Sequence, residues 1–433
     1  MRRMKGAAGL LTALLLAFQL SAQTFALANE DNGIKVVPVN FTHNGYSYEI
    51  EGVAKSTDGD YQIKPPARLA ARKLPSTYDP RSSGEITTVK DQASTGACWA
   101  FSALACAEQD LIKKGLENPS AEFSVPALVL SSNSGTATGK DDFSSGGNWL
   151  FAASALANGQ GLCYEDYEPF LESGTENMIV SENKKSVSEY RLNYVMELSS
   201  TTQVKRKIME LGAVSASYFA GNGYMNHNNT AYYDPDASKN TIINHSVTVV
   251  GWDDNYSKDN FRYKPANNGA WLVKGSWGAD QDNDGFYWVS YDEAEFGQFC
   301  CYDFEESCDN TYHYSKMTGY VVNASNDGSV YGANVFTAKA DEKLDKAGFM
   351  YVGKTGSADY TLSVYTNVSD SDPIGVLETQ ISGSVSANGF YTVDFPEDIL
   401  LEEGEKYSIS VKFSGDSGRG YLLAESDRTS KAQ

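Results

Sequence analysis

The 433-residue chain is poor in basic residues. It carries 35 Lys and Arg against 56 Asp and Glu, and its formal net charge is −21 at pH 7. A surface of that sign is repelled by nucleic acid and by anionic membranes, so we expect neither as a partner. Beyond its N-terminal segment the sequence also lacks an apolar run long enough to cross a bilayer. Together these absences predict a protein with no membrane span once that segment is removed.

Cysteine is scarce as well, with six residues whose positions do not form a disulfide framework. Cys106 and Cys163 are expected as free, buried side chains, because a thiol behaves as a small hydrophobe. Cys300, Cys301 and Cys308 lie close together in the sequence, and one local disulfide among them is an open alternative. Their spacing fits no zinc pattern, so we expect no zinc site there.

Residues 1–28 have the pattern of a secretory signal peptide. Three cations precede an apolar run over residues 7–20, and the tripeptide Ala-Leu-Ala at residues 26–28 follows it. An uncleaved membrane anchor is the alternative, but the run is shorter than the roughly 20 residues that span a bilayer. The sequence therefore predicts a secreted or cell-surface protein.

A cysteine at the start of an apolar helical segment is the strongest functional signal. Cys98 opens a run that is predicted as a helix to residue 114, where Gly115 ends it. A helix N-terminus favours a thiolate, because its N–H groups are unpaired and its dipole end is positive. Gln92, six positions earlier, carries a neutral amide that can hold an oxyanion together with the Cys98 backbone N–H.

A histidine follows far downstream of this cysteine. His245 lies in a β-branched run that is predicted as a strand over residues 242–250. The block Gly-Ser-Trp-Gly follows at residues 275–278. With the Gln-then-Cys-Trp block, the histidine and this block in that order, the chain resembles the papain-like cysteine proteases.

One position departs from the pattern of that family. The resemblance implies an Asn before Ser-Trp-Gly as the residue that orients the catalytic histidine, and Gly275 occupies this position. Trp277 is retained, and it would shield the Cys98–His245 pair from water. Loss of the orienting residue of a serine triad costs about 10⁴ in turnover, and we expect a smaller loss here because a thiolate is ionised before substrate arrives. Activity is expected, with its efficiency left open by Gly275.

The resemblance also implies a substrate-binding edge. Gly146 and Gly147 take the place of the family's Gly-Gly element, where the main chain of a peptide approaches without a Cβ in the way. An ordinary turn is the alternative for this dipeptide. The positions that resemble the lining of the pocket for the second residue before the scissile bond are Asn148, Trp149, Ala216 and Ile243. That pocket would be apolar, although Ala216 and Ile243 are equally well explained as core residues.

An acidic segment, residues 280–285, matches the opening of a calcium loop. Asp280, Asp282 and Asp284 have the spacing of oxygen ligands, and a glycine follows them. The twelfth loop position is Tyr291, however, where such loops carry a bidentate glutamate. We therefore favour a solvated acidic turn and expect no cofactor, with calcium as the alternative.

Composition and motifs divide the chain into four segments. After the signal peptide of residues 1–28, residues 29–73 are predicted as the short propeptide of a zymogen, with a permanent N-terminal extension as the alternative. Residues 74–308 are predicted as a papain-like domain with a helical lobe and a β-rich lobe. Residues 309–433 contain five strand-like runs divided by Gly, Ser, Asn and Asp, which predict an all-β sandwich.

The expected fold class is therefore α+β, with an all-β sandwich after the catalytic domain. Phrases such as Gly-Ala-Asn-Val-Phe at residues 332–336 resemble the lectin-like module of some bacterial cell-surface proteases. Binding of carbohydrate, binding of peptide and packing on the catalytic domain are all open as roles for it.

The leading hypothesis is a secreted cysteine endopeptidase that acts on proteins or peptides. The first alternative is a papain-like scaffold with weakened catalysis, which binds a carbohydrate or another cell-surface ligand through its sandwich. A Cys-His hydrolase of peptidoglycan is a third hypothesis, and it would cleave wall peptides but not ordinary proteins. A Cys98→Ala variant separates the first two, because undiminished function would contradict an enzyme.

Overall fold

The computed structural model describes most of the chain from residue 73 onward, together with two strands before it. The described residues are 35–43, 46–54, 73–132, 143, 146–159, 162–167, 169–170, 189–221, 223–237, 242–279, 283–313, 318–323, 330–353, 357–369, 372–414 and 420–425. The predicted signal peptide, residues 1–28, lies outside these ranges, and its removal stays a prediction.

Four α-helices lie among the described residues: α1 Cys98–Lys113, α2 Val125–Ser132, α3 Trp149–Ala157 and α4 Thr201–Leu211. The alanine-rich α1 is buried along most of its length. It ends at Gly115, whose φ of 72° is a left-handed conformation that glycine adopts without steric cost. Side chains cap the N-termini of two other helices. The Asn148 side chain accepts hydrogen bonds from backbone N–H groups in the first turn of α3, and the Ser200 side chain accepts one in the first turn of α4.

The described strands, in chain order, are β1 Lys35–His43, β2 Tyr46–Ala54, β3 Thr77–Tyr78, β4 Tyr190–Leu198, β5 Val214–Tyr218, β6 Ala231–Tyr232, β7 Ile242–Ile243, β8 His245–Asp253, β9 Ala270–Lys274, β10 Phe286–Ser290, β11 Gly297–Glu306, β12 Thr318–Asn323, β13 Val330–Thr337, β14 Glu342–Gly353, β15 Ala358–Thr366, β16 Val376–Val385, β17 Gly389–Leu401, β18 Lys406–Ser414 and β19 Gly420–Glu425. One large sheet has the order β12-β19-β14-β17-β4-β11-β5-β8-β9-β10-β6, with β3 paired to β8. A second sheet has the order β13-β18-β15-β16, and a third joins β1, β2 and β7.

The large sheet passes from the peptidase segment into the C-terminal segment. Strand β17 pairs antiparallel with β4, with residues 389–391 opposite residues 194–196. A Cβ at Gly389 would lie 2.0 Å from the carbonyl oxygen of Val195, so only glycine permits this approach. The two segments are therefore hydrogen-bonded to each other through their backbones.

Three hydrophobic cores support this arrangement. The first surrounds α1 and includes α2 and α3, and the second lies between α4 and the strands β5, β8 and β9. The third fills the sandwich between its two sheets. Because α1 packs against both β8 and β11, its N-terminus lies beside the beginning of β8.

The five strands predicted in the C-terminal segment correspond to β13, β14, β15, β17 and β18. Strands β12 and β19 were not predicted, and neither was β16. Strand β16 is an edge strand that pairs with β15 alone and has many exposed, polar positions, so it lacks the alternation of apolar residues by which strands are recognised.

Candidate active site

A cleft at the surface contains both residues of the predicted catalytic pair. The described residues that line it are Cys98, Trp99, Gly146, Gly147, Asn148, Trp149, Ser215, Ser217, Ile243, Asn244, His245, Ser246, Gln298 and Tyr302. The first six come from the helical lobe and the others from the β-rich lobe. The cleft therefore lies between the two lobes, as a substrate site does when each lobe supplies one reacting group.

Cys98 is the first residue of α1, and its side chain is 5% exposed. The N-cap residue is Ala97, which has no polar side chain to occupy the helix N-terminus. Burial raises the pKa of the Cys98 thiol above its ordinary value, while hydrogen bonds with Ser246 and with the Trp99 backbone oppose the rise. A thiolate at this position consequently needs a further positive partner.

The side chain of Gln92 is held by hydrogen bonds on both sides of its amide. Its Nε2 donates to the carbonyl oxygen of Thr95 over 2.7 Å, and its Oε1 accepts from the Ser276 hydroxyl over 2.6 Å. The Gln92 backbone N–H also donates to the Ser276 carbonyl oxygen, over 2.8 Å. An amide nitrogen carries two N–H donors, so a second one remains for an oxyanion. Ser276 thereby connects the glutamine block to the Ser-Trp-Gly block.

His245 begins β8, and aromatic rings surround its imidazole. Trp277 stacks on it, with ring centres 4.4 Å apart and an interplanar angle of 13°. Tyr218, its partner in the β5–β8 pairing, meets it edge-on at 5.9 Å. His245 is 3% exposed, and these two rings are among the residues that bury it. The position of the imidazole thus depends strongly on ring packing.

At Gly275, where the family carries an Asn, two neighbouring atoms lie close to the point where a side chain would begin. A Cβ there would lie 3.3 Å from the Gly285 carbonyl oxygen and 3.3 Å from Cε1 of Tyr287. The Tyr287 hydroxyl is 2.9 Å from that of Tyr218, and its ring lies nearly parallel to that of Trp277. Burial raises the pKa of Tyr287, which keeps this hydroxyl protonated. Tyr287 therefore supports the ring cluster from the side that an Asn would enter.

The Gly-Gly element forms one wall of the cleft. A Cβ at Gly147 would lie 2.4 Å from the indole of Trp99, so no other residue fits at this position. Asn148 lines the cleft with part of its surface, while its Oδ1 accepts from Leu150 N over 2.9 Å and caps α3. The side chain of Trp149, the first residue of α3, reaches the same wall.

Sequence comparison agrees with this geometry. The family described as papain family cysteine protease matches residues 74–328, more than half of the chain. The chain belongs to the papain family of cysteine proteases. A second family, described as lectin like domain, matches residues 311–432.

Curated relatives of this papain-family chain include mammalian cathepsins. Cathepsin K of Mus musculus is 24% identical over 216 residues, which are 49% of this chain and 59% of that protein. Cathepsin L2 of Homo sapiens is 26% identical over 224 residues, or 51% and 62% of the two chains. The chain thus spans about three fifths of the length of these relatives.

A solved structure extends the likeness to both segments. The cysteine protease and lectin-like domains of Cwp84, a surface layer associated protein of Clostridium difficile, are 28% identical with a TM-score of 0.70, over 82% of this chain and 79% of that one. Clostridial Cwp84 after propeptide cleavage gives the same identity and TM-score over 81% and 88%. The predicted fold class, a papain-like α+β domain followed by a lectin-like β-sandwich, is confirmed.

One predicted pocket residue lies elsewhere. Ala216 is fully buried in the second core, whereas its neighbours Ser215 and Ser217 line the cleft. Successive side chains of a strand point to opposite faces, and the burial of Ala216 agrees with the alternative that it is a core residue. Ile243 does line the cleft, and so does Gln298 of β11, which belongs to no motif and was not predicted. The alternation of side chains along β5 could have predicted that the two serines face the cleft. No motif near Gln298 predicted that this residue does.

The remaining predictions concern metal and disulfides. Asp280 and Asp282 lie outside the described residues, and Asp284 lies in the turn before β10, so the calcium alternative stays untested. Across the described ranges, no three His, Cys, Asp or Glu side chains are grouped as a metal site would require. All six cysteines are free thiols, so the local disulfide among Cys300, Cys301 and Cys308 is not formed. No helix in the described part of the chain is long and apolar enough to cross a membrane.

Proposed function

We propose that this protein is a secreted or cell-surface endopeptidase that hydrolyses peptide bonds of proteins through an acyl-enzyme on Cys98. The observation that carries the proposal is the cleft itself. It brings the thiol at the N-terminus of α1 and the imidazole at the start of β8 to one solvent-accessible site. The N-terminal segment with signal-peptide composition and the surface-layer association stated for Cwp84 support the location.

In the proposed reaction, the Cys98 proton passes to the His245 imidazole, and the thiolate adds to the carbonyl carbon of the scissile bond. The oxyanion accepts hydrogen bonds from the Gln92 amide and from the Cys98 backbone N–H. The C–N bond then breaks while the imidazolium protonates the leaving amine. Water adds to the thioester with His245 as base, which releases the acid and restores the thiol.

The lining of the cleft favours neutral, apolar substrate side chains. Indole, isoleucine, serine and amide groups form its described walls, and apart from Cys98 and His245 themselves no Asp, Glu, Lys or Arg side chain is among the described residues that line it. A charged side chain would lose hydration there without gaining an ion pair. We therefore expect cleavage sites with aliphatic or aromatic residues near the scissile bond.

Residues 29–73 are proposed as the propeptide of a zymogen. Strand β2, which lies in this segment, pairs antiparallel with β7, with Val53 opposite Ile243. Ile243 lines the cleft and lies two residues before His245. Backbone pairing at this edge occupies a place where a peptide substrate would add a strand, so removal of the segment is expected to increase activity.

A binding protein with weakened catalysis is the second candidate, and Gly275 is the observation that favours it. Under this alternative, the β-sandwich would carry the function and the cleft would bind peptides without cleaving them.

The decisive experiment measures cleavage by the secreted, processed protein. A mixture of proteome-derived peptides is incubated with the wild type, with Cys98→Ala and with Cys308→Ala, and new termini are identified by mass spectrometry. Cys308 is a partly exposed thiol outside the cleft, so its variant controls for loss of a cysteine. We expect cleavage by the wild type and Cys308→Ala, and none by Cys98→Ala. Equal behaviour of all three proteins would contradict the peptidase and favour the binding protein.

A further inference from the structure

The wall of the cleft that Trp149 forms is hydrogen-bonded to a residue at the border of the β-sandwich. The indole Nε1–H of Trp149 donates to Oε1 of Glu197 over 3.0 Å. Glu197 is in β4, the strand of the peptidase segment that pairs with β17 of the sandwich. The orientation of this indole therefore depends on where the Glu197 carboxylate is held.

The other carboxylate oxygen of Glu197 is held by the sandwich. Asn388, directly before β17, donates from Nδ2 to Oε2 of Glu197 over 2.9 Å. The backbone carbonyl of Asn388 accepts from the Glu197 N–H over 2.9 Å, and its Oδ1 accepts from Gly353 N at the end of β14 over 2.8 Å. Asn388 is thus fixed by two sandwich strands, and it fixes both the backbone and the side chain of Glu197.

Packing joins the same two parts of the molecule. Phe390 of β17 and Met350 of β14 pack against the core of the helical lobe, which contains Phe151 of α3. Burial raises the pKa of the Glu197 carboxyl, and the hydrogen bonds from Asn388 and Trp149 oppose this rise. A carboxylate in such surroundings depends on its two donors, because an unpaired buried charge is costly.

We propose that the β-sandwich is a working part of the peptidase. Asn388 positions Glu197, and Glu197 positions the indole of Trp149 as the wall on which an apolar side chain of the substrate packs. Asn388 and Glu197 are positioning residues, since neither is among the residues lining the cleft. This inference rests on the proposed peptidase function, and it assigns to the sandwich a role in substrate binding that needs no ligand of its own.

A cycle of two substitutions in the full, processed protein tests this connection. Glu197→Gln offers one donor and one acceptor where two donors must be satisfied, so either Trp149 or Asn388 loses its acceptor. Asn388→Asp places two carboxylates face to face. The double variant restores a hydrogen bond of reversed polarity, from the introduced amide at position 197 to the introduced carboxylate at position 388, at unchanged net charge.

Two measurements follow the cycle. The first is KM and kcat for a peptide with an apolar side chain next to the scissile bond. The second is the indole ¹H–¹⁵N resonance of Trp149, assigned with Trp149→Phe, which requires no catalysis. In each single variant we expect KM to rise about tenfold, because a hydrogen bond to a charged group is lost. We expect kcat and the rate of Cys98 alkylation to stay within about twofold, and the double variant to recover most of the loss in KM. The Trp149 resonance should shift in the single variants and return in the double variant.

Asn310→Ala is the matched control, because it removes an Asn–Glu hydrogen bond to Glu342 that is exposed and far in sequence from Trp149. It should leave KM unchanged. A lower melting temperature in the single variants with an unchanged KM and an unchanged Trp149 resonance would overturn the proposal and leave Asn388 a structural role alone. If Asn388→Asp does not fold, Glu197→Gln and the double variant decide the question. If the wild type cleaves no peptide, the proposed function fails, and the Trp149 resonance alone then supports or overturns the connection.

Discussion

The two side chains of the proposed catalytic pair lie in surroundings of opposite character. On the Cys98 side, the supporting contacts are hydrogen bonds, and the Gln92 amide is held within a network that includes the Ser276 hydroxyl. On the His245 side, two rings contact the imidazole: Trp277 stacks on it at 4.4 Å, and Tyr218 meets it edge-on at 5.9 Å. The hydrogen bonds on the Cys98 side orient the Gln92 amide toward the position of an oxyanion. On the His245 side, ring packing fixes the position of the imidazole.

This difference indicates how the site accommodates Gly275. Hydrogen bonds are directional, while aromatic contacts tolerate several arrangements and depend more on ring volume. Without a side chain at residue 275, the orientation of His245 depends more heavily on the rings of Tyr218 and Trp277 and on Tyr287 behind them. The effect on kcat of a substitution on the Cys98 side should therefore depend on which hydrogen-bonding atom is lost. On the His245 side, the effect on kcat should depend on how much ring volume is lost.

The largest expected effect comes from removal of the His245 imidazole, which would leave Cys98 without its proposed positive partner. Burial raises the Cys98 pKa, so the thiolate at low pH depends on a protonated His245. In His245→Ala the thiol should react only at alkaline pH, and alkylation at pH 6 should fall by more than about 100-fold. Peptide-resolved mass spectrometry measures the labelling, with partly exposed Cys308 as the internal reference. Equal low-pH labelling of Cys98 in the variant would show that no ion pair forms.

Loss of the oxyanion donor should be nearly as damaging. Gln92→Ala removes the amide donor, and kcat should fall about 100-fold or more with little change in KM, because the bond is made chiefly in the transition state. Steady-state kinetics on one peptide measure both constants. A fall below about tenfold would contradict the oxyanion role of Gln92.

On the aromatic side, ring volume should matter more than the hydroxyl. Tyr287→Ala leaves a void behind Trp277, and a displaced imidazole should lower kcat about tenfold. Tyr287→Phe keeps the ring and loses the hydroxyl contact with Tyr218, which should lower the free energy of unfolding by about 1 kcal/mol with little effect on kcat. Kinetics and chemical denaturation of both variants measure this contrast. If Tyr287→Phe lowered kcat as much as Tyr287→Ala, the aromatic side would act through its hydroxyls.

A smaller effect is expected where the polar side is weakened indirectly. Ser276→Ala removes the hydroxyl that donates to the Gln92 side chain. Because the Gln92 amide is then held less firmly, kcat of the variant should fall about fivefold. In the Gln92→Ala background the same substitution should have almost no further effect, because its target is gone. Additive losses would show that Ser276 acts independently of Gln92.

The smallest change in turnover is expected from restoration of the family residue. Gly275→Asn places a Cβ 3.3 Å from the Gly285 carbonyl oxygen and from Tyr287, so neighbours must move to admit the side chain. We expect no gain in kcat and a free energy of unfolding lower by about 1–3 kcal/mol. Gly275→Ala, which adds the Cβ alone, is the control. A clear rise in kcat for Gly275→Asn would show that the aromatic surroundings do not compensate for the missing amide.

Local sequence signals accounted for the elements that carry the reaction. An apolar run that begins at Cys98 and stops at Gly115 predicted α1 to within one residue. Asn148 stands directly before α3, and its side chain caps that helix. Such signals act over a few residues and survive in any tertiary context.

The residues around the pair depended on pairing over long sequence distances. The sequence left Ala216 open between the pocket and the core, and it lies in the core, while Ser215 and Ser217 of the same strand line the cleft. Tyr287, which lies next to Gly275, comes from a different strand and carried no motif. A single sequence does not state which strands become neighbours, so these contacts were beyond prediction.

By itself, therefore, the sequence predicted the nucleophile, the histidine and the oxyanion glutamine of the proposed site and the order of the two folded segments, since each prediction rested on short motifs, on their resemblance to a family and on local periodicity. Only the tertiary structure decided what surrounds His245 and how the sandwich meets the cleft. Asn388 and Glu197 lie in separate segments, and their contact exists only because β17 pairs with β4. Backbone hydrogen bonding and core packing select that neighbour, and no local pattern of residues encodes it.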